Sequence, residues 1–195
     1  FVMRIILLLL CGLLLSACNK APIEAALDLT AALGGEAEQG FSRATELRTF
    51  RFPQDHAAHP AYRNEWWYIT GNLDAMGRRF GFQVTFFRFA LAPPAATQRE
   101  SAWATRDVWM AHVALTDVLG AQHFTDERFA RGALGLAGAD SAPFRVWLED
   151  WSLQGGGSQF PWRLRVKSED FALDLELEPV RPPLLQGREG LSQKS

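Results

Sequence analysis

Two short alternations near the C-terminal end constrain this chain more tightly than anything else in it. Trp162, Leu164 and Val166 alternate with Arg163, Arg165 and Lys167, while Phe171, Leu173, Leu175 and Leu177 alternate with Asp174, Glu176 and Glu178. Folding the segment about Glu169 and Asp170 sets Val166 against Leu173, Leu164 against Leu175 and Trp162 against Leu177. The same register sets Arg165 against Asp174 and Arg163 against Glu176. Apolar pairs fall on one face and opposite charges on the other, which is what a half-solvated antiparallel hairpin requires. A slip of one residue destroys both matches at once. Glu-Asp is a poor two-residue turn, so the register predicts a four-residue loop.

Period-two patterning extends back through the chain and predicts further strands. Glu65 to Leu73 reads as a strand, Asp74 to Gly77 as a turn and Arg79 to Phe89 as the hairpin partner. On that partner Phe80, Phe82, Val84 and Phe86 share one face, and Gly81, Gln83, Thr85 and Phe87 the other. Asp107 to Thr116 is a strand with Val108, Met110, His112 and Ala114 on one side. Phe144 to Leu153 reads as one strand, closed by Gly155 to Gly157. Pro93 to Ser101 and Gly132 to Ala142 read as loops, and Glu127 to Arg131 as a solvated charged turn. About seven strands with hardly any helix predict an all-β fold, an antiparallel barrel or sandwich.

Composition narrows the function classes. A 195-residue chain that is 48% hydrophobic can bury a core, so wholesale disorder is excluded. A net charge of −2 and a pI of 6.1 lack the basic field that nucleic-acid binding needs. Two cysteines build neither a disulfide framework nor a cysteine zinc cluster. No Gly-x-Ser-x-Gly elbow, phosphate loop or dinucleotide fingerprint is present, and no cofactor is predicted.

The N-terminal segment reads as an address. Phe1 and Val2 precede Met3, Arg4 supplies a positive charge, and Ile5 to Leu15 form an apolar run broken by Gly12. The run is too short to span a hydrocarbon layer of about 30 Å and fits a signal sequence. Leu15-Ser16-Ala17-Cys18 resembles a bacterial lipoprotein signal, in which Cys18 carries the lipid and becomes the mature N-terminus. The alternative is an ordinary signal peptide with a chance cysteine. The predicted organisation is a signal over residues 1–18, a tether over 19–48 (with a short helix over Ile23 to Leu33) and a β-domain over 49–195. The predicted location is the bacterial cell envelope, lipid-anchored to a membrane on the periplasmic side.

The densest chemistry lies between Asp55 and Leu73, where His56, His59, Glu65, Trp66, Trp67 and Tyr68 fall in a loop that leads into a strand. In a strand Trp66 and Tyr68 face one way, Glu65 and Trp67 the other. His56-x-x-His59 with Glu65 offers imidazole and carboxylate, but no helical frame brings the ligands together and Pro60 follows, so no metal site is predicted. Asp55, His56 and His59 read more simply as a hydrogen-bonded loop that fixes the start of the strand. Glu65 buried beside the tryptophans would favour its neutral acid form, whereas an Arg63 or Arg88 partner would keep it ionised and structural. His112 lies among apolar residues. It is either a satisfied core histidine or, facing a lumen near Glu65 or Tyr68, a general acid able to protonate an alkene. Candidate catalytic residues are therefore His112, Glu65 and Tyr68. Candidate ligand-binding residues are Trp66, Trp67, Tyr68, Phe82, Phe86, Met110 and His112, with the phenylalanine stripe read first as core.

The Asp55 to Leu73 segment, with its Glu65-Trp66-Trp67-Tyr68 element, resembles the signature of the carotenoid 1,2-hydratase (hydroxyneurosporene synthase) and AttH-type family. Weaker echoes are Ala111 to Asp117, Glu127 to Arg131, Asp150-Trp151-Ser152 and the Gln186 to Ser192 tail. The resemblance covers about Phe50 to Ser195 and implies a lipocalin-like β-barrel. It further implies the N-terminal half of a tandem-barrel protein, with a second lipocalin-like half as partner. It also implies a hydrophobic small molecule or lipid as ligand. In a complete protein it implies hydratase or cyclase activity on an isoprenoid-like chain. The family's catalytic histidine, tryptophan, tyrosine and aspartate belong to the second half and have no matching positions here.

Overall fold

The computed structural model describes residues 40–95, 101–155 and 160–192, all within the compact unit Glu36–Ser195. The signal segment with Cys18, the helix expected over Ile23 to Leu33, the middle of the Pro93 to Ser101 loop and Gly156-Gly157 lie outside the described residues.

A short 3-10 turn at Gln54–His56 precedes nine strands. β1 (Asn64–Ala75), β2 (Arg78–Ala90), β3 (Asp107–Asp117) and β4 (Gln122–Arg131) form one antiparallel meander. β5 (Ala137–Ser141), β6 (Phe144–Leu148), β7 (Trp151–Gly155), β8 (Trp162–Lys167) and β9 (Ala172–Leu177) form a second. The fold is thus all-β and antiparallel, and the described residues contain no α-helix. β6 lies across β2, β3 and β4, so the two meanders pack face to face.

The space between them is filled. Val84, Phe86, Ala111, Val146, Leu148, Trp151 and Leu164 are each 0% exposed, and residues from both sheets form one continuous cluster. Each large apolar side chain so buried stabilises the fold by about 1.5–3 kcal/mol relative to its exposed state.

The terminal hairpin has the predicted register at every pair, from Trp162↔Leu177 to Val166↔Leu173, and a four-residue loop. Its strongest ion pair is diagonal, however: Arg163 donates to both Asp174 oxygens at 2.6 Å. Those hydrogen bonds hold the Asp174 carboxyl below its ordinary range.

Three expectations are corrected. Phe144 to Leu153 is two strands, because Glu149 adopts a left-handed turn at φ 55°. The buried positions shift there from even (Phe144, Val146, Leu148) to odd (Trp151, Leu153). Residues 137–141 pair with β6 rather than forming a loop. Glu127 to Arg131 is the end of β4, not a turn. Its Arg128 spans the break between the sheets: the guanidinium pairs with Asp150, donates to the Lys167 carbonyl at 3.0 Å and covers the Trp151 ring at 4.4 Å.

Candidate functional site

Strand parity assigns every side chain of β1 and β2 to a face. On the core side lie Glu65, Trp67, Ile69 and Leu73 of β1 with Phe82, Val84, Phe86 and Arg88 of β2. Arg88 is therefore in phase with buried phenylalanines, and at 3% exposure its charge must be satisfied internally. Glu65 stands directly opposite it across the ladder. Arg88 Nε donates to Glu65 Oε2 at 2.9 Å and Nη1 donates to Asp107 Oδ1 at 2.7 Å. Nη2 donates to the carbonyls of His59 at 3.0 Å and Tyr62 at 2.7 Å.

Glu65 extends this network into the lead-in loop. Both its oxygens accept the His59 backbone N–H, at 2.7 and 2.8 Å. His59 Nδ1 lies 2.7 Å from Glu65 Oε1, and Nε2 lies 2.8 Å from Asp55 Oδ1. Arg48 pairs in turn with Asp55. Of the two roles weighed for Glu65, the one with an Arg88 partner is realised. Asp55 and His59 do join in a hydrogen-bonded loop. His56 does not: its ring lies 4.5 Å from Phe52, 4.7 Å from Trp162 and 5.8 Å from Phe144, and burial lowers its pKa. The His56 carbonyl accepts the Trp67 indole N–H at 2.7 Å, and Trp67 stacks on Trp109 at 5.7 Å. The described residues hold no group of three or more His, Cys, Asp or Glu side chains arranged around a metal position.

The opposite face of the first sheet is the less ordinary one. Trp66 (β1), Phe87 (β2), Met110 (β3) and Phe129 (β4) form one in-register row across all four strands. Trp66 is 64% exposed and Phe129 48%. Three inter-strand spacings of about 4.8 Å make the row about 14 Å long. Phe89 stacks beside Phe87 at 6.1 Å. The adjacent row is polar: Tyr68, Thr85, His112 and Glu127. His112 packs on the Phe87 ring at 5.6 Å. Its Nε2 is shielded from solvent without a hydrogen-bond partner, 3.4 Å from Glu127 Oε2. Trp66 also borders a cavity of about 390 Å³ under the lead-in loop, walled by Arg48, Phe50, His56, Tyr62 and Trp67. A larger cleft of about 610 Å³ around Arg128 is polar and acid-lined, its guanidinium already committed to structure.

The candidate residues thus divide. Trp66, Tyr68, Met110 and His112 share the outer face, with Tyr68 and His112 in one row. Trp67, Phe82 and Phe86 are core, and Glu65 lies on the core side with them. His112 is not a core histidine, since the core lies on the opposite side of β3, and it shares its row with Tyr68. Phe129 escaped the sequence because β4 lacks apolar alternation. Its spacing of five from Phe124 places the two phenylalanines on opposite faces.

A family model described as AttH-like matches residues 43–195. A crystal structure of an AttH-like protein from Nitrosomonas europaea is similar, at 33% identity and a TM-score of 0.64. The match covers 79% of this chain and 45% of that one, so this chain spans less than half the length of that relative. No curated protein matches.

Proposed function

This chain belongs to the AttH-like family and has its lipocalin-type fold, and from that premise we propose that it is a membrane-anchored protein that binds a hydrophobic small molecule or lipid. The row Trp66, Phe87, Met110 and Phe129 carries the proposal. The interior is occupied by side chains, so a ligand is best accommodated on the outer face. An apolar strip about 14 Å long suits an extended hydrocarbon chain. The parallel row with Tyr68, His112 and Glu127 offers polar groups along its side, the usual division of labour in a binding site. The signal-like segment before Cys18 supports a lipid anchor on the periplasmic side of a bacterial envelope membrane.

Titration with a long-chain polyene fatty acid, read by tryptophan fluorescence, tests this. Saturable quenching is expected in the parent and its loss in Met110→Lys and Phe129→Lys. These substitutions lie on a solvent-accessible face, so both variants should keep the parent's thermal transition. Binding that survives both substitutions refutes the assignment.

A second reading is an enzyme: a hydro-lyase or cyclase acting on an isoprenoid-like chain in a longer protein similar to carotenoid 1,2-hydratases. The observation favouring it is His112, whose shielded Nε2 lies beside the apolar row as an alkene-protonating acid would. In a longer protein carrying a second half, His112→Gln should then abolish the gain of one water by an isoprenoid substrate while leaving binding intact.

A further inference from the structure

The turns β1–β2 and β3–β4 project side by side from one end of the first sheet. β2 and β3 are neighbours there, with Phe80 opposite Asp117, and the Val118 N–H donates to the Arg79 carbonyl at 3.0 Å. Both turns have the wrong chemistry for their positions. The first is a two-residue loop in which Met76 (φ 50°) and Gly77 (φ 73°) both take the left-handed conformation. That geometry strongly prefers Asn-Gly or Asp-Gly, yet Met76 occupies it and is 96% exposed. The second turn exposes Val118 at 59% and Leu119 at 74%.

These side chains are held outward. Asp117, 3% exposed, accepts the Gly120 N–H at 3.1 Å and pairs with Arg78, which fixes the second turn from beneath. That bracket sets the backbone of the turn that carries Val118 and Leu119. Local rules broken without local compensation point to function.

We propose that this end of the sheet dips into a lipid bilayer, with Met76, Val118 and Leu119 entering the headgroup boundary. The shape selects a bilayer over a protein partner. A stable protein interface buries about 800 Å² on each partner, more than three aliphatic side chains on protruding turns can offer. The local charges balance: Arg78 is committed to Asp117, and Arg79 stands opposite Asp74. Apolar burial therefore drives the contact, and it does not depend on the anchor proposed at Cys18.

The test uses the chain from Asn19 onward, which lacks the apolar leader, both cysteines and any lipid anchor. An environment-sensitive thiol dye is placed at Met76→Cys, or for comparison at Glu169→Cys in the β8–β9 loop. Vesicles of phosphatidylethanolamine with a varied fraction of phosphatidylglycerol are added. A blue shift at position 76 but not at 169, little changed by the phosphatidylglycerol fraction, is expected. In the same background without dye, Val118→Ser with Leu119→Ser should weaken vesicle partition at least about tenfold. Binding to vesicles without a shift at 76, partition that scales with phosphatidylglycerol, or no binding at all overturns the proposal.

Discussion

Replacing Arg88 by methionine keeps the stem's packing and removes the guanidinium. Its four acceptors, on Glu65, Asp107, His59 and Tyr62, lose their donor together. Breaking a buried ion pair from one side costs about 3–5 kcal/mol, because the stranded charge stays desolvated. Here the lower end applies, since Asp107 is 32% exposed and can rehydrate, and Glu65 keeps its three contacts with His59. For a domain of this size 1 kcal/mol moves Tm by about 2–4 °C, so a cost of about 3 kcal/mol lowers it by about 6–12 °C. Arg88→Lys retains the charge without the planar fork and should fall between parent and methionine. Thermal unfolding followed by circular dichroism measures all three. Hydrogen exchange at His59 N–H, which donates to Glu65, adds a local readout. A Tm within about 2 °C of the parent for Arg88→Met, corresponding to less than about 1 kcal/mol, would refute the claim that this network holds the loop to the sheet.

Three further outcomes follow from other contacts. Burial lowers the His56 pKa below 6.5, so the unfolded chain binds more protons in that window. Stability should be complete above about pH 6.5 and decline below it. In pH-dependent denaturation His56→Gln should lose this part of the decline, and an unchanged slope would disprove its origin. Arg163 and Asp174 form a short ion pair but are 49% and 51% exposed, so Arg163→Ala should leave the chemical denaturation midpoint unchanged within error. Met76→Asn suits the left-handed turn position and should raise stability by about 0.5–1 kcal/mol, while the vesicle partition measured above falls. A variant that loses both would contradict the trade.

How much could be read beforehand depends on whether neighbouring residues or distant ones decide the outcome. The β8–β9 register was legible because charge and hydropathy agree at every pair. The break between β6 and β7 was available too, in the Glu149-Asp150 pair and the change of parity after Leu148. β4 was invisible because its core side presents Asp126 and Arg128 beside Phe124 and Ala130. Arg128 is satisfied by partners from the other sheet, Asp150 and the Lys167 carbonyl, which no local pattern announces. The Glu65–Arg88 pair lies between these cases. Both residues keep the phase of buried neighbours, so their pairing could be inferred once the hairpin register was set. The outer row needed more, because a strand apolar on both sides does not say which side becomes the interior.

The Arg88 cluster also imposes an order in time. Its guanidinium gathers atoms from residues 59, 62, 65 and 107, and none of these sites is assembled until β1, β2 and β3 have zipped into their meander. The loop that roofs the smaller cavity is thus tied to three strands through one side chain, and is expected to open before the ladders do. Exchange that reaches the loop before the strands would be its signature.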